Sequence, residues 1–267
     1  MIFDLTALDP RYSTILCDIW GVLHDGVRLF PGVEQRLESW AARGRRIILV
    51  TNAPRTAETV QGQLDSLGLP PSAYHGISTG GDAGIAALLK LGRPVGLIGT
   101  QGDRRDLEQA GLTIVADGFT DLACTGLDEQ RDTVDDYRDQ LESLAARDVA
   151  LHCLNPDRIV MVGANAEICA GALADAYEAR GGRSCWYGKP HPAIYRHALG
   201  LAGNPPRGTV LAIGDGLVTD VLGAARNGLD CLYVTGGISR GQGIPPDFAA
   251  SHDLGDWRPI GTVATIG

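Results

Sequence analysis

Apolar positions follow two rhythms along the chain. Ser13–Asp18 (STILCD) and Arg46–Thr51 (RIILVT) are short, nearly unbroken apolar runs. Runs of this kind mark strands buried on both faces. Between them, Pro31–Gly44 spaces Val33, Leu37 and Trp40 at helical intervals, with Pro at its start and Gly at its end. Arg55–Leu67 is amphipathic and stops at Gly68. Further strands are predicted at Pro94–Ile98, Leu112–Val115, Leu122–Thr125, Val149–Leu154, Ser184–Tyr187, Thr209–Ile213 and Cys231–Val234, with helices between most of them. This alternation predicts an α/β fold built on parallel sheets covered on both faces.

In such sheets ligands bind beyond the carboxyl ends of the strands. Four predicted strand ends carry polar residues suited to chemistry. The first ends in Asp18 and the second in Thr51-Asn52. The segment after Ser184–Tyr187 carries Lys189, and Thr209–Ile213 runs into GDGLVTD with Asp215 and Asp220. Two carboxylates meeting at one edge suit a hard cation such as Mg2+, which takes oxygen ligands and bridges carboxylates to phosphate. An aspartate can attack phosphorus and form an aspartyl-phosphate. Thr51 offers a hydroxyl, Asn52 an amide and Lys189 a point charge for the transferring group. Taken singly, each residue has a plainer reading. Asp18 could cap a strand edge, Thr51 and Asn52 a helix, and Asp215 and Asp220 could serve a turn.

The ordered set DIWGVLHDG, VTNAPR, GKPHP and GDGLVTD resembles the four motifs of the haloacid dehalogenase superfamily. The run GVLHDG, the LNPD at Leu154–Asp157 and the stretch that follows resemble class IIA, the NagD-like and phosphoglycolate or pyridoxal phosphatase branch. The resemblance covers nearly the whole chain. It implies a Rossmann-like doubly wound core over residues 1–78 and 186–267, interrupted by an α/β cap over 79–185. It further implies Asp18 as nucleophile and metal ligand, with the Trp20 carbonyl and Asp215 completing the protein ligands to Mg2+. Thr51, Asn52 and Lys189 would hold the phosphate, and Asp220 would support the metal shell or orient Lys189. Asn155, Asp157 and Asn165 in the cap are candidates for reading the leaving group. Class IIA relatives often pair through the cap, which makes a homodimer one of the expected assemblies.

One position departs from the family pattern. Relatives carry an Asp two residues after the nucleophile, which protonates the leaving alkoxide and later activates water. Here that position is Trp20, and indole is neither acid nor base. His24 and Asp25 are candidate substitutes. The leading expectation is Mg2+-dependent hydrolysis of a small phosphorylated metabolite. Its rivals are a phosphometabolite-binding protein with little turnover, and another reaction of the superfamily.

Composition narrows the partners. A net charge of −9 over 267 residues disfavours nonspecific nucleic-acid binding. The apolar runs span a few residues, far short of the ~20 a membrane span needs. The segment MIFDLTALDPRYS lacks the basic start of a signal peptide. The six cysteines form no CxxC, so they are read as small apolar residues of a reduced, cytoplasmic protein. His191 and His197 are read as loop and helix-surface residues, since their spacing does not suit one metal-binding face.

Overall fold

A computed structural model describes residues 4–162, 165–237, 241 and 243–267, with the side chains of Met161, Val162 and Asn165 outside the description. The chain runs through β1 (Thr14–Asp18), α1 (Val33–Ala42), β2 (Arg46–Thr51), α2 (Ala57–Ser66), β3 (Gly76–Thr79) and α3 (Gly80–Leu89). Next come β4 (Gly96–Ile98), α4 (Gln101–Gln109), β5 (Asp121–Cys124), α5 (Arg138–Ala146), β6 (Ala150–Cys153), the pair β7 (Ile159–Val162) and β8 (Asn165–Ile168), α6 (Ala170–Glu178) and β9 (Arg183–Trp186). It closes with α7 (Pro192–Leu201), β10 (Val210–Gly214), α8 (Leu222–Arg226), β11 (Asp230–Val234), α9 (Phe248–Ser251) and β12 (Gly261–Val263).

The α/β prediction holds. Six strands form one sheet in the order β12-β11-β10-β1-β2-β3, and four form a second in the order β4-β5-β6-β9. In the first sheet β1 pairs in parallel with both β2 and β10. The chain therefore leaves β1 towards one edge and later returns to fill the other. That reversal is a topological switch point, where an open parallel sheet leaves a crevice at its carboxyl edge. All five residues of β1 are buried, as its unbroken apolar run requires.

Two compact units emerge. One comprises Met1–Thr51, Gln61–Ser78 and Tyr195–Gly267, and the other Asn52–Val60 and Thr79–Ile194. The segments 52–60 and 186–194, assigned to the core on the sequence, group with the second unit. The first unit buries Ile15, Ile47, Leu49, Leu211, Ile213 and Leu232. The second carries two apolar clusters. One is centred on Leu122, Leu151, Leu173 and Tyr177, the other on Leu88, Val95, Leu107 and Leu154.

Local chemistry sets the helix starts. Thr79 caps α3 by accepting the Asp82 N–H at 2.8 Å, and Thr100 with Asp103 forms a reciprocal capping box at α4. Two sequence expectations need correction. Leu112–Val115 forms no strand; it contributes a single bridge from Ile114 to Val95. The strands β3 and β12 and the antiparallel pair β7-β8 were not predicted. All are three or four residues long, too short to show a period. The free cysteines are buried except Cys185, and burial pushes Cys124 and Cys169 up to about 12, as apolar filling implies.

The second sheet holds a buried polar chain. Arg93 donates to Asp121 Oδ2 at 2.9 Å, and His152 Nε2 lies 3.0 Å from Asp121 Oδ1. His152 Nδ1 lies 2.7 Å from the Tyr187 hydroxyl. Burial depresses the His152 pKa, outweighing the opposing pull of Asp121. Folded His152 therefore resists a proton that the unfolded chain accepts near its ordinary ~6.5. Its contribution to stability is complete above that pH and is lost as the pH falls towards the depressed folded value. The urea midpoint should drop on acidification below about pH 6.5, and His152→Gln should flatten this slope. A slope unchanged by the substitution would show that His152 does not drive it.

Candidate metal centre and its surroundings

The carboxyl edge of the first sheet is built around the switch point. Cys17 of β1 pairs with Ile213 of β10, which places Asp18 beside Gly214, just before Asp215. Asp18 also pairs with Val50, so Thr51 ends β2 at the same edge. After β10, a π-helical turn over Leu217–Val221 follows. It carries Asp220, whose carboxylate accepts from the Gly216 N–H and the Thr219 hydroxyl, both at 3.1 Å.

These elements bring Asp18, Asp215 and Asp220 together, with one ligand oxygen from each within 4.8 Å of the others. All three are at most 6% exposed. At an effective dielectric near 20, two charges that close repel by on the order of 3 kcal/mol. A buried trio of carboxylates could hold a cation, which would offset this repulsion. The donors are all hard oxygens, which suits a divalent cation such as Mg2+. Backbone approaches the site closely. Gly21 has a φ of +80°, and a Cβ there, or on Gly237, would run into the Asp215 carboxylate. Neither glycine is among the site residues predicted from the sequence. The left-handed turn at Gly21 follows two residues behind Ile19 in DIWG, but the proximity of Gly237 is purely tertiary.

Trp20 is half-buried on the segment that follows Asp18. Its ring meets His24 edge-on at 4.9 Å and lies over Gly26, where a Cβ would come within 2.6 Å of the indole. His24 is 1% exposed, and its Nδ1 accepts the Gly26 N–H at 2.9 Å. Burial pushes its pKa down to about 4 against the pull of Asp25. It is a neutral packing residue at pH 7. Asp25 accepts the Val27 and Arg28 N–H groups at 3.0 Å, and these bonds hold its carboxyl below the usual range. It closes its own loop and carries no proton to give.

The remaining candidates lie in the second unit. The Asn52 Oδ1 accepts the Lys189 N–H at 2.6 Å, and its Nδ2 donates to Asp157 at 2.8 Å. Asn155 Oδ1 accepts the Asp157 N–H at 3.0 Å. Asn165 starts β8, but its side chain, with Gly163 and Ala164, lies outside the described residues. His191 stacks on Trp186 at 5.3 Å, and His197 Nδ1 lies 2.8 Å from the Ser78 hydroxyl.

Comparison with known proteins matches this geometry to a family. A family model described as haloacid dehalogenase-like hydrolase matches residues 15–113, and one described as HAD-hydrolase-like matches 186–256. Ribonucleotide monophosphatase NagD of Escherichia coli K12 is 30% identical, over 85% of this chain and 89% of its own. Chronophin of Bos taurus is 28% identical, over 91% and 88%. A haloacid dehalogenase-like hydrolase from Brucella suis 1330 superposes with a TM-score of 0.84 at 34% identity, covering 99% of both chains.

Gly21→Ala should force the backbone out of its left-handed turn, a strain of about 1–3 kcal/mol, and push Asp215 aside. Calorimetric Mg2+ titration should show at least tenfold weaker binding than wild type. Equal affinity in a folded variant would mean that Asp215 is not part of the metal site.

Proposed function

Because the chain belongs to the haloacid dehalogenase superfamily, in its class IIA, NagD-like branch, we propose that it is a Mg2+-dependent phosphatase of small phosphorylated metabolites, with Asp18 as nucleophile. The buried cluster of Asp18, Asp215 and Asp220 carries this reading. The name of one relative, a ribonucleotide monophosphatase, supports the substrate class. Asp18, Asp215 and the Trp20 carbonyl would hold the ion. Magnesium, when bound, supplies the positive charge that lets an anionic carboxylate meet an anionic phosphate. Thr51 and Lys189 supply the donor and charge for the phosphate oxygens, and Asp220 braces the carboxylate cluster.

In the first step an Asp18 oxygen attacks phosphorus and the ester P–O bond breaks, leaving an aspartyl-phosphate and an alkoxide. In the second, water attacks the same phosphorus, inorganic phosphate leaves and the Asp18 carboxylate is restored. The alkoxide needs a proton, and Trp20 cannot give one. Neutral, buried His24 and the loop-closing Asp25 are poor replacements. The site therefore favours esters whose alcohol leaves without help, and its turnover of alkyl phosphates is slow. Free and mostly buried thiols support a cytoplasmic setting. Cap-mediated pairing into a homodimer is the assembly we assign on the class resemblance.

Phosphate release from p-nitrophenyl phosphate should require Mg2+, stop with a chelator and be abolished by Asp18→Asn with the fold intact. Wild-type rates in that variant would sink the assignment. If phosphate binds but no ester turns over, the chain is a phosphometabolite-binding protein.

Trp20→Asp should raise alkyl ester hydrolysis, up to the ~10²–10⁴-fold range of a well-placed acid, with little gain on the aryl ester. Unchanged rates on both esters would show that proton transfer does not limit the site.

A further inference from the structure

The second unit contains a hydrogen-bonded chain that the mechanism above leaves unused. Asn52 and Lys189 are 6% and 4% exposed. The Asn52 amide grips the Lys189 main chain at two points: its Oδ1 accepts the Lys189 N–H at 2.6 Å, and its Nδ2 donates to the Lys189 carbonyl at 3.3 Å. The same Nδ2 donates to Asp157 Oδ1 at 2.8 Å. An ionised carboxylate only accepts, so Asp157 selects the NH2 end of the amide and turns Oδ1 towards Lys189. There is little room for another arrangement. A Cβ on Gly188 would come within 2.6 Å of Asn52 Oδ1.

Asp157 is itself anchored. Its N–H donates to Asn155 Oδ1, and its carbonyl accepts the Gly171 N–H at 3.0 Å. The next residue, Arg158, makes a fork of bonds to Asp175 on α6 at 2.9 and 2.8 Å and a further bond to the Pro156 carbonyl at 2.9 Å. The cap motif LNPD thus fixes a carboxylate, the carboxylate orients an amide, and the amide fixes the backbone that bears the lysine. A side chain buried in this way adds little adaptability, and a main chain held at both N–H and C=O has little freedom to drift.

We propose that Asp157 and Asn52 are positioning residues for Lys189, with Asp157 setting the amide and Asn52 holding the lysine main chain where its ammonium meets phosphate. This assigns Asp157 to the phosphate end of the reaction and withdraws it from leaving-group recognition. The proposal rests on the phosphatase reading, in which Lys189 binds the phosphate.

The first readout is calorimetric binding of inorganic phosphate in the presence of Mg2+, which does not depend on turnover. Asp157→Leu and Asn52→Leu should each weaken it about tenfold, the scale of one lost charge-assisted hydrogen bond. Asp157→Asn keeps an acceptor oxygen and should restore most of the affinity. The double Leu variant should be no weaker than Asn52→Leu alone, because both act through one amide. Turnover should fall by the same factor for aryl and alkyl esters. A loss that depends on the leaving group, with phosphate binding unchanged, would overturn the proposal in favour of substrate contact.

The second readout is hydrogen exchange of the Lys189 amide in the intact chain. It should accelerate at least tenfold in both Leu variants and stay near wild type in Asp157→Asn. Unaltered exchange would overturn the clamp. Should wild type bind no phosphate, the phosphatase reading falls while the exchange measurement still decides whether Asp157 and Asn52 hold Lys189. Thermal unfolding of each variant checks folding, and Asp157→Asn tests the same link if a Leu variant fails to fold.

Discussion

Three carboxylates buried within 4.8 Å of one another form the constraint on which the first unit depends. Mutual repulsion among these carboxylates is relieved by a cation among the oxygens. The surrounding backbone accommodates that demand. Asp18 ends a strand whose five residues are all buried, so its carboxylate stands on a rigid element. Asp215 follows β10 and is hemmed in by backbone at Gly21 and Gly237. Asp220 sits in a π-helical turn, a device that redirects one side chain at a cost in regular bonding. Its carboxylate recovers part of that bonding from Gly216 and Thr219.

Trp20 stands two residues after Asp18, at the position where the family pattern has an Asp. A family member needs only the main-chain carbonyl at this position for the metal, whereas the side chain decides proton transfer. Here the indole packs on His24 and Gly26 and closes the loop after Asp18. His24, packed edge-on against this ring, is buried, and its burial lowers its pKa.

The second unit solves a different problem, the placement of polar groups inside an apolar sheet. Asp121, His152 and Tyr187 satisfy one another across β5, β6 and the residue after β9. Asn52, Asp157 and Lys189 do the same in the segments that follow β2, β6 and β9. A fully bonded polar chain costs little and fixes register, whereas one missing partner would leave a buried group unpaired. That is why the LNPD and GKP segments behave as one structural piece despite the 31 residues that separate Asp157 from Gly188.

Much of the protein was readable from residue order. Unbroken apolar runs identified β1 and β2, because a strand covered on both faces has no polar side to show. The strand-end rule then picked out Asp18, Thr51 and Asp215 with no knowledge of their distances, since any parallel sheet sends its carboxyl ends to one edge. The family motifs added Trp20 as the exception. Other features lay beyond the sequence. Strands of three or four residues such as β3 and β12 owe their existence to a neighbour's hydrogen bonds, and no local period announces them. The partner of Asp157 is not visible in a linear chain. Its bond to Asn52, 105 residues away, exists only after folding, as does the approach of Gly237 to Asp215. Sequence determines which groups can bond; tertiary structure alone decides which of them meet.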